Sequence, residues 1–404
     1  LNLVLSTLVS SGKKVKAHNT KHSTRASMPH QSAQPTSASD VLIIGGGVIG
    51  LAIAHALARR GVENLTVIEK NDFGREASWA AGGILAPQVE TDKDDDFFRI
   101  ACASRDLYRS FAGTLQDETG IDVQLDTTGT LYVAFTADEE AELRARFAWQ
   151  QNQGLAVEWL DGDAARRLEP HLSEQVRCAL RFPNDFQIEN RRLVEALRTA
   201  NARLGVRLHK NCEATSLKIE NIGVAGVETS QGIISAHSIV LAAGAWSSSL
   251  NWAATLPQLE VEPVRGQMLC FKPRQQLARQ VIYSSRGYLV PRRDGRLLAG
   301  STTESAGFEK RVTDEGVNAI KSMAVEIAPA LESLTVADSW AGFRPRAKDG
   351  LPVLGPTRRV AGLFYATGHY RNGILLAPIT GELIAEAILS GATPSLLTPF
   401  SPDR

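Results

Sequence analysis

Gly45-x-Gly47-x-x-Gly50 stands between an apolar run at 41–44 and an Ala- and Leu-rich stretch, and Glu69 closes a second apolar run at 65–68. These types at this spacing point to dinucleotide binding. Gly45 permits a tight turn, Gly47 lets a pyrophosphate approach the backbone, and Gly50 lets a helix pack on the strand, so the anion meets the helix's positive end. Glu69 falls where a carboxylate takes both hydroxyls of an adenosine ribose and would repel a 2′-phosphate, which favours FAD or NAD over NADP. A lone glycine triplet is weak; strand, glycines, helix, strand and terminal acid in that order are strong. A small-residue loop follows at 73–87, where Ala80, Ala81, Gly82 and Gly83 let a flat aromatic system lie against the backbone. A simple NAD enzyme has no obvious use for such a loop.

These residues need a scaffold. Behind an acidic patch at 92–96, read as a solvated face, a helix is expected over 97–118. Residues 129–135 read as a strand, 138–152 as a charged surface helix and 176–182 as another strand, which breaks the strand–helix alternation. A helix at 190–204, strands at 206–208 and 213–219, and a buried strand from 233 that ends in a glycine turn at Gly244 return to the first pattern. Apolar–polar alternation resumes at 267–272, 288–291 and 296–300, and a helix over 374–389 closes the chain. The expected fold class is therefore α/β with an α+β insertion: a Rossmann-like FAD-binding domain plus a substrate domain with a large antiparallel sheet. The discontinuous first domain takes 40–125, 185–255 and 338–395, and the second takes 126–184 and 256–337.

Length allows a large core, and 44 basic side chains balance 44 acidic ones, so electrostatics suggest neither nucleic acid nor an anionic membrane as partner. Cys102, Cys178, Cys212 and Cys270 are scattered without a Cys-x-x-Cys pair, which argues against a disulfide framework or a metal site and fits a cytoplasmic location. Residues 1–39 contain five Lys/Arg, no acid and many Ser. That is also the composition of a transit peptide, but the apolar piece at 1–9 precedes its charges and is too short to span a bilayer. A disordered tail is expected, with Met28 a candidate natural start.

The pattern at 41–50, the loop Ala-Gly-Gly-Ile-Leu-Ala-Pro at 81–87, Val-Glu-Pro-Val-Arg-Gly-Gln at 261–267, the stretch 340–355 and Gly-His-Tyr-Arg-Asn-Gly-Ile-Leu-Leu-Ala-Pro at 368–378 resemble FAD-dependent amine oxidases of the D-amino-acid oxidase family. Within it they are most similar to the glycine-oxidising branch that serves thiazole formation in thiamine biosynthesis. The resemblance spans about 40–389. It implies non-covalent FAD, since no cysteine lies near the C-terminal loop, and it implies O2 as acceptor and a homo-oligomer, a tetramer in many members. Along the FAD it places Val48, Ile49, Glu69, Lys70, Ala77, Ser78, Gly82, Gly83, Ala214, His369, Tyr370, Arg371, Asn372, Gly373, Ile374 and Leu375, together with Gly45, Gly47, Gly50 and Gly244. Tyr288, Arg344 and Arg371 match positions that hold an amino-acid substrate. Ile84 and Thr303 fall where members differ in the pocket wall.

The expected reaction is oxidative deamination of glycine or a related small amino acid or amine, with hydride passing to FAD and O2 becoming H2O2. Arginine suits the carboxylate of such a substrate because its planar fork holds both oxygens and stays charged when dried. Arg344, between Phe343 and Pro345, is the first candidate, with a structural salt bridge an equal alternative on sequence alone. Tyr288 opens a strand and has a core tyrosine as its alternative; Arg371 is either a second anchor or a structural pair. No residue stands out as a general base, and none is required if the amine arrives deprotonated, because its lone pair then expels the hydride. Asn372 and Gly373 open the last helix, whose dipole would stabilise negative charge on the reduced ring. Competing readings are a D-amino-acid or sarcosine oxidase, a non-catalytic binding protein on the same scaffold, and a quinone-linked dehydrogenase.

Overall fold

In the computed structural model, which describes residues 39–249 and 259–404, the run at 41–44 becomes the buried strand Ser39–Ile44. It lies in parallel between the strands Gly232–Leu241 and Leu65–Ile68, with Ile44 opposite both Leu241 and Ile68. Arg207–His209 and Leu363–Thr367 extend this sheet in parallel, and Val353–Pro356 caps one edge antiparallel. A strand buried on both faces reads as an unbroken apolar run, which is why Val-Leu-Ile-Ile shows no alternation. The expected tail falls outside the described residues, except that Ser39 already belongs to the strand.

The helices Val48–Arg59 and Gly373–Ser390 pack against each other, and glycine sets their approach: a Cβ on Gly381 would stand 2.8 Å from the Ala52 carbonyl. The glycine-rich entrance to the first helix leaves its N-cap, Gly47, without a capping side chain. Ser78, in the short helix Ala77–Ala80, supplies one from a distance in the chain, its Oγ accepting from the Val48 N–H at 3.0 Å. Each fully buried Leu or Ile of this layer, such as Leu51, Ile53 and Ile384, contributes about 1.5–3 kcal/mol relative to exposure.

The interruption expected after 125 forms a second eight-stranded sheet, ordered from Asp338–Ala347 through Val261–Phe271, Leu297–Gly300, Gly287–Pro291, Val281–Ser284, Thr130–Ala134 and Cys178–Phe182 to Glu158–Asp161. It is antiparallel except where Val281–Ser284 runs parallel to Thr130–Ala134. Residues 338–347, expected with the nucleotide domain, pair over ten positions with Val261–Phe271 in the second sheet, because register follows the apolar face each strand must bury. The helix Asp314–Ile327 has no counterpart in the expected elements.

Gly373–Ser390 is long and apolar enough to cross a membrane, yet most of it is buried against the helices Val48–Arg59 and Asp96–Thr119. It also contains Pro378, which has no N–H to offer the carbonyl one turn earlier, that of Ile374. Two side chains one turn apart on the facing helix repair the gap. Tyr108 Oη donates to the Ile374 carbonyl and Ser104 Oγ to the Leu375 carbonyl at 2.6 Å. Tyr108→Phe should therefore cost about 1–3 kcal/mol by leaving a buried carbonyl unpaired, and Pro378→Ala in the same chain should recover part of it. Chemical denaturation of the single and double variants measures both; a Tyr108→Phe variant as stable as the parent would refute this account.

Candidate active site

One cavity of about 500 Å³ is lined jointly by the first sheet's C-terminal edge and the second sheet, within the size range of cofactor and ligand sites. At one end lie Glu69, Lys70, Cys212, Glu213 and Ala214; at the other Ile84, Met268, Tyr283, Tyr288, Arg344 and Arg371. Gly45, Gly47, Val48, Ile49, Ala77, Ser78, Gly82, Gly83, Gly244 and the loop from His369 to Ile374 line it too. Gly45 needs its freedom: its φ is +111°, and a Cβ there would stand 2.3 Å from the Ala242 carbonyl oxygen. Gly50 does not line the cavity; its Cβ position points at the Gly45 carbonyl, 2.0 Å away, so it acts by packing. Glu69 Oε2 accepts from the Gly46 N–H at 2.9 Å and Oε1 from the Asn71 N–H at 3.0 Å. These fix the carboxylate while leaving it lone pairs for further donors.

Arg344 lies on the strand Asp338–Ala347 opposite Val264. The diagonal neighbour on the same face is Gly266, and the guanidinium lies across it: a Cβ on Gly266 would meet Arg344 Nη1 at 2.2 Å. Nη1 donates to the Thr302 carbonyl at 3.0 Å and Nη2 to Ser301 Oγ at 2.6 Å. Among the described residues no carboxylate pairs with it. Tyr288 Oη donates to the same Ser301 Oγ at 3.3 Å, which ties the two candidates together. The tyrosine is buried but reaches the cavity, over Gly82.

Arg371 is different. Its Nη2 is 3.2 Å from Glu90 Oε1, and the same oxygen accepts from Tyr283 Oη at 3.0 Å. Glu90 holds the Arg371 pKa above its ordinary value, while burial first, and then Glu90, push the Tyr283 phenol well above the usual 10, so it stays a donor. Leu375 does not line the cavity; its side chain is in the core. Thr303 is exposed and does not line the cavity. The residues that sequence reasoning missed are Glu90, Tyr283, Ser301 and Trp246. Trp246 carries Lys70 Nζ 3.8 Å above its ring and stacks on Phe308. None of these lies in a motif; their partners are far away in the chain.

Residues 40–387 match the family model described as DAO, FAD dependent oxidoreductase. The chain belongs to that family. It is similar to glycine oxidase of Pseudomonas putida, 37% identical over 90% of this chain and 98% of the relative. It is also similar to the bifunctional protein ThiO/ThiG of Trichormus variabilis, 38% identical over 90% of this chain and 55% of that longer protein. The crystal structure of glycine oxidase from Geobacillus kaustophilus superposes with a TM-score of 0.87 at 35% identity, covering 91% of this chain and 98% of that one.

The cofactor of this oxidoreductase is FAD, and the residues present fit it. A side chain at Gly83 would meet the Ile188 carbonyl oxygen at 2.0 Å, so the loop that forms one wall admits no bulk. Glu69 offers carboxylate oxygens to the cavity. Of the four cysteines only Cys212 lines the cavity, at the same end as Glu69.

His369 is buried, 3.2 Å from Thr380 Oγ1, and burial lowers its pKa to about 3. The unfolded chain, with a histidine near 6.5, takes up a proton first as pH falls. The contribution is therefore complete above about 6.5 and lost toward 3, by at most ~1.4 kcal/mol per pH unit. His369→Gln should flatten the acid side of a plot of Tm against pH between 6.5 and 4. Parallel curves for the two proteins would exclude His369 as a source of acid lability.

Proposed function

We propose that this oxidoreductase oxidises glycine or a closely related small amino acid to the imine, in the service of thiazole formation for thiamine. The observation that carries the proposal is the Arg344 guanidinium, which lines the cavity and, among the described residues, is bonded only to Ser301 Oγ and the Thr302 carbonyl. An arginine so placed has an unmet demand for an anion, and an amino acid's carboxylate meets it in bidentate fashion. Tyr288 and Arg344, linked through Ser301, would hold that carboxylate and aim the neighbouring C–H across the cavity.

FAD when bound supplies a two-electron acceptor for hydride and passes the electrons to O2, giving H2O2. The chain's own groups bind and orient. His369 is neutral and engaged with Thr380, and Tyr283 is held protonated, so neither is poised to remove a proton; the substrate reacts as its neutral amine, the ammonium proton having gone to solvent, and the amine lone pair drives hydride departure. Water then converts the imine to a 2-oxo acid, glyoxylate from glycine, and ammonia. The helix Gly373–Ser390 begins at the cavity wall, and its positive end favours negative charge on a reduced ring.

Tyr288, Ile84 and Met268 crowd the amino-acid end, which favours glycine over bulkier D-amino acids. On this reading 40–125, 185–255 and 338–395 hold the dinucleotide and 126–184 with 256–337 shape the amino-acid end, with the strand Asp338–Ala347 lent to the second sheet. FAD is held without a covalent bond, and the enzyme works as a cytoplasmic homo-oligomer.

Anaerobic glycine should bleach the flavin absorbance of the purified protein, and air should restore it with peroxide; no bleaching by glycine, sarcosine or D-alanine in flavin-loaded protein would refute the reading. Arg344→Ala should lose about 2–5 kcal/mol of substrate interaction, roughly tens- to thousands-fold in kcat/KM. Gly266→Ala should raise KM for the amino acid while retaining flavin, because the new methyl displaces the guanidinium. Unchanged KM would show that Arg344 does not act from that position.

A further inference from the structure

We infer that Glu90 restricts the site to substrates with a single carboxylate, by neutralising the Arg371 guanidinium, which shares the amino-acid end of the cavity with Arg344. The inference rests on the reading of Arg344 as the carboxylate anchor. Three arginines line the cavity, Arg75, Arg344 and Arg371, and among the described residues only Arg371 has a carboxylate beside it; Arg75 belongs to the glycine turn, following Gly74, whose N–H donates to the Gly46 carbonyl. Counting Glu90, Arg344 and Arg371, the amino-acid end carries a net charge of one positive, which matches one carboxylate. A second carboxylate would meet an arginine whose charge is already balanced and would be repelled by Glu90 itself.

Glu90 is not there by chance of rotamer. Tyr283 donates to it from the second sheet, and it ends the short helix Pro87–Glu90. The N–H groups of Gln88 and Val89 in that helix donate to the buried Asp185 carboxylate at 3.4 and 3.1 Å. Gln88 is further held by paired amide contacts with buried Gln150. The carboxylate is thus delivered to Arg371 by a fixed element. Specificity here comes from a repulsive group as much as from an attractive one. Removing the charge while keeping the shape would leave Arg371 as a free fork of donors facing the cavity and bring the local charge to two positive, the complement of a dicarboxylic amine.

The test compares the parent, Glu90→Gln and Glu90→Asp in flavin-loaded protein, with glycine and N-carboxymethylglycine (iminodiacetate) as substrates. The ratio of kcat/KM for the dicarboxylate to that for glycine should rise about tenfold or more in Glu90→Gln. The change should lie mainly in KM and shrink at high salt; Glu90→Asp, which keeps the charge, should retain the parent's preference. A ratio unmoved by Glu90→Gln, or moved as far by Glu90→Asp, would overturn the inference.

The parent protein supplies a check that does not depend on a variant folding. Acetate should perturb its flavin spectrum at concentrations no higher than malonate requires. Malonate binding about tenfold tighter than acetate in the parent would show that Arg371 is already free for a second anion. Parent protein that neither turns over glycine nor bleaches with it would sink the functional reading itself, whereas glycine turnover with an unmoved ratio sinks only the role of Glu90.

Discussion

Arg344 keeps a full positive charge half out of water, with a serine hydroxyl and a backbone carbonyl as its hydrogen-bond acceptors. Desolvating a charge without a counterion is costly, and the fold tolerates it only where something else is gained. The rest of the site follows from holding that group still. Gly266 is bare so that the guanidinium can lie across its strand, Ser301 links it to Tyr288, and the ten-residue pairing of Asp338–Ala347 with Val261–Phe271 fixes the diagonal between them.

Arg344 and Arg371 show how a neighbour changes the chemistry of one side chain. Arg371 has the same fork of donors as Arg344, but Glu90 satisfies it and Tyr283 holds Glu90 in turn. One guanidinium is available and the other is spoken for. The difference lies in a carboxylate supplied by the helix Pro87–Glu90, held in place by the buried Asp185.

The nucleotide half depends on close approach. Helix Val48–Arg59 lies near enough to the turn that Gly45 and Gly50 touch, and near enough to the last helix that Gly381 meets the Ala52 carbonyl. The last helix enters the cavity wall at Gly373 and tolerates Pro378 because Tyr108 and Ser104 take the carbonyls that lack a partner. A proline in a buried helix is thus offset by two hydroxyls on the helix packed against it.

The strand, glycines, helix and Glu69 were legible in the sequence because their physics is local: spacing along a continuous segment dictates turn, helix start and carboxylate position. The family, the two-sheet plan and the candidacy of Arg344 and Tyr288 followed from such segments. What tertiary structure alone decided was partnership. Glu90 meets Arg371 across 281 residues and Tyr283 across 193, so no window of sequence shows that one arginine is neutralised and the other is not. The strand at 338–347 changed sheets for the same reason: its own residues specify an extended, half-buried segment, but the neighbour whose register buries its apolar face is found only when the chain is folded.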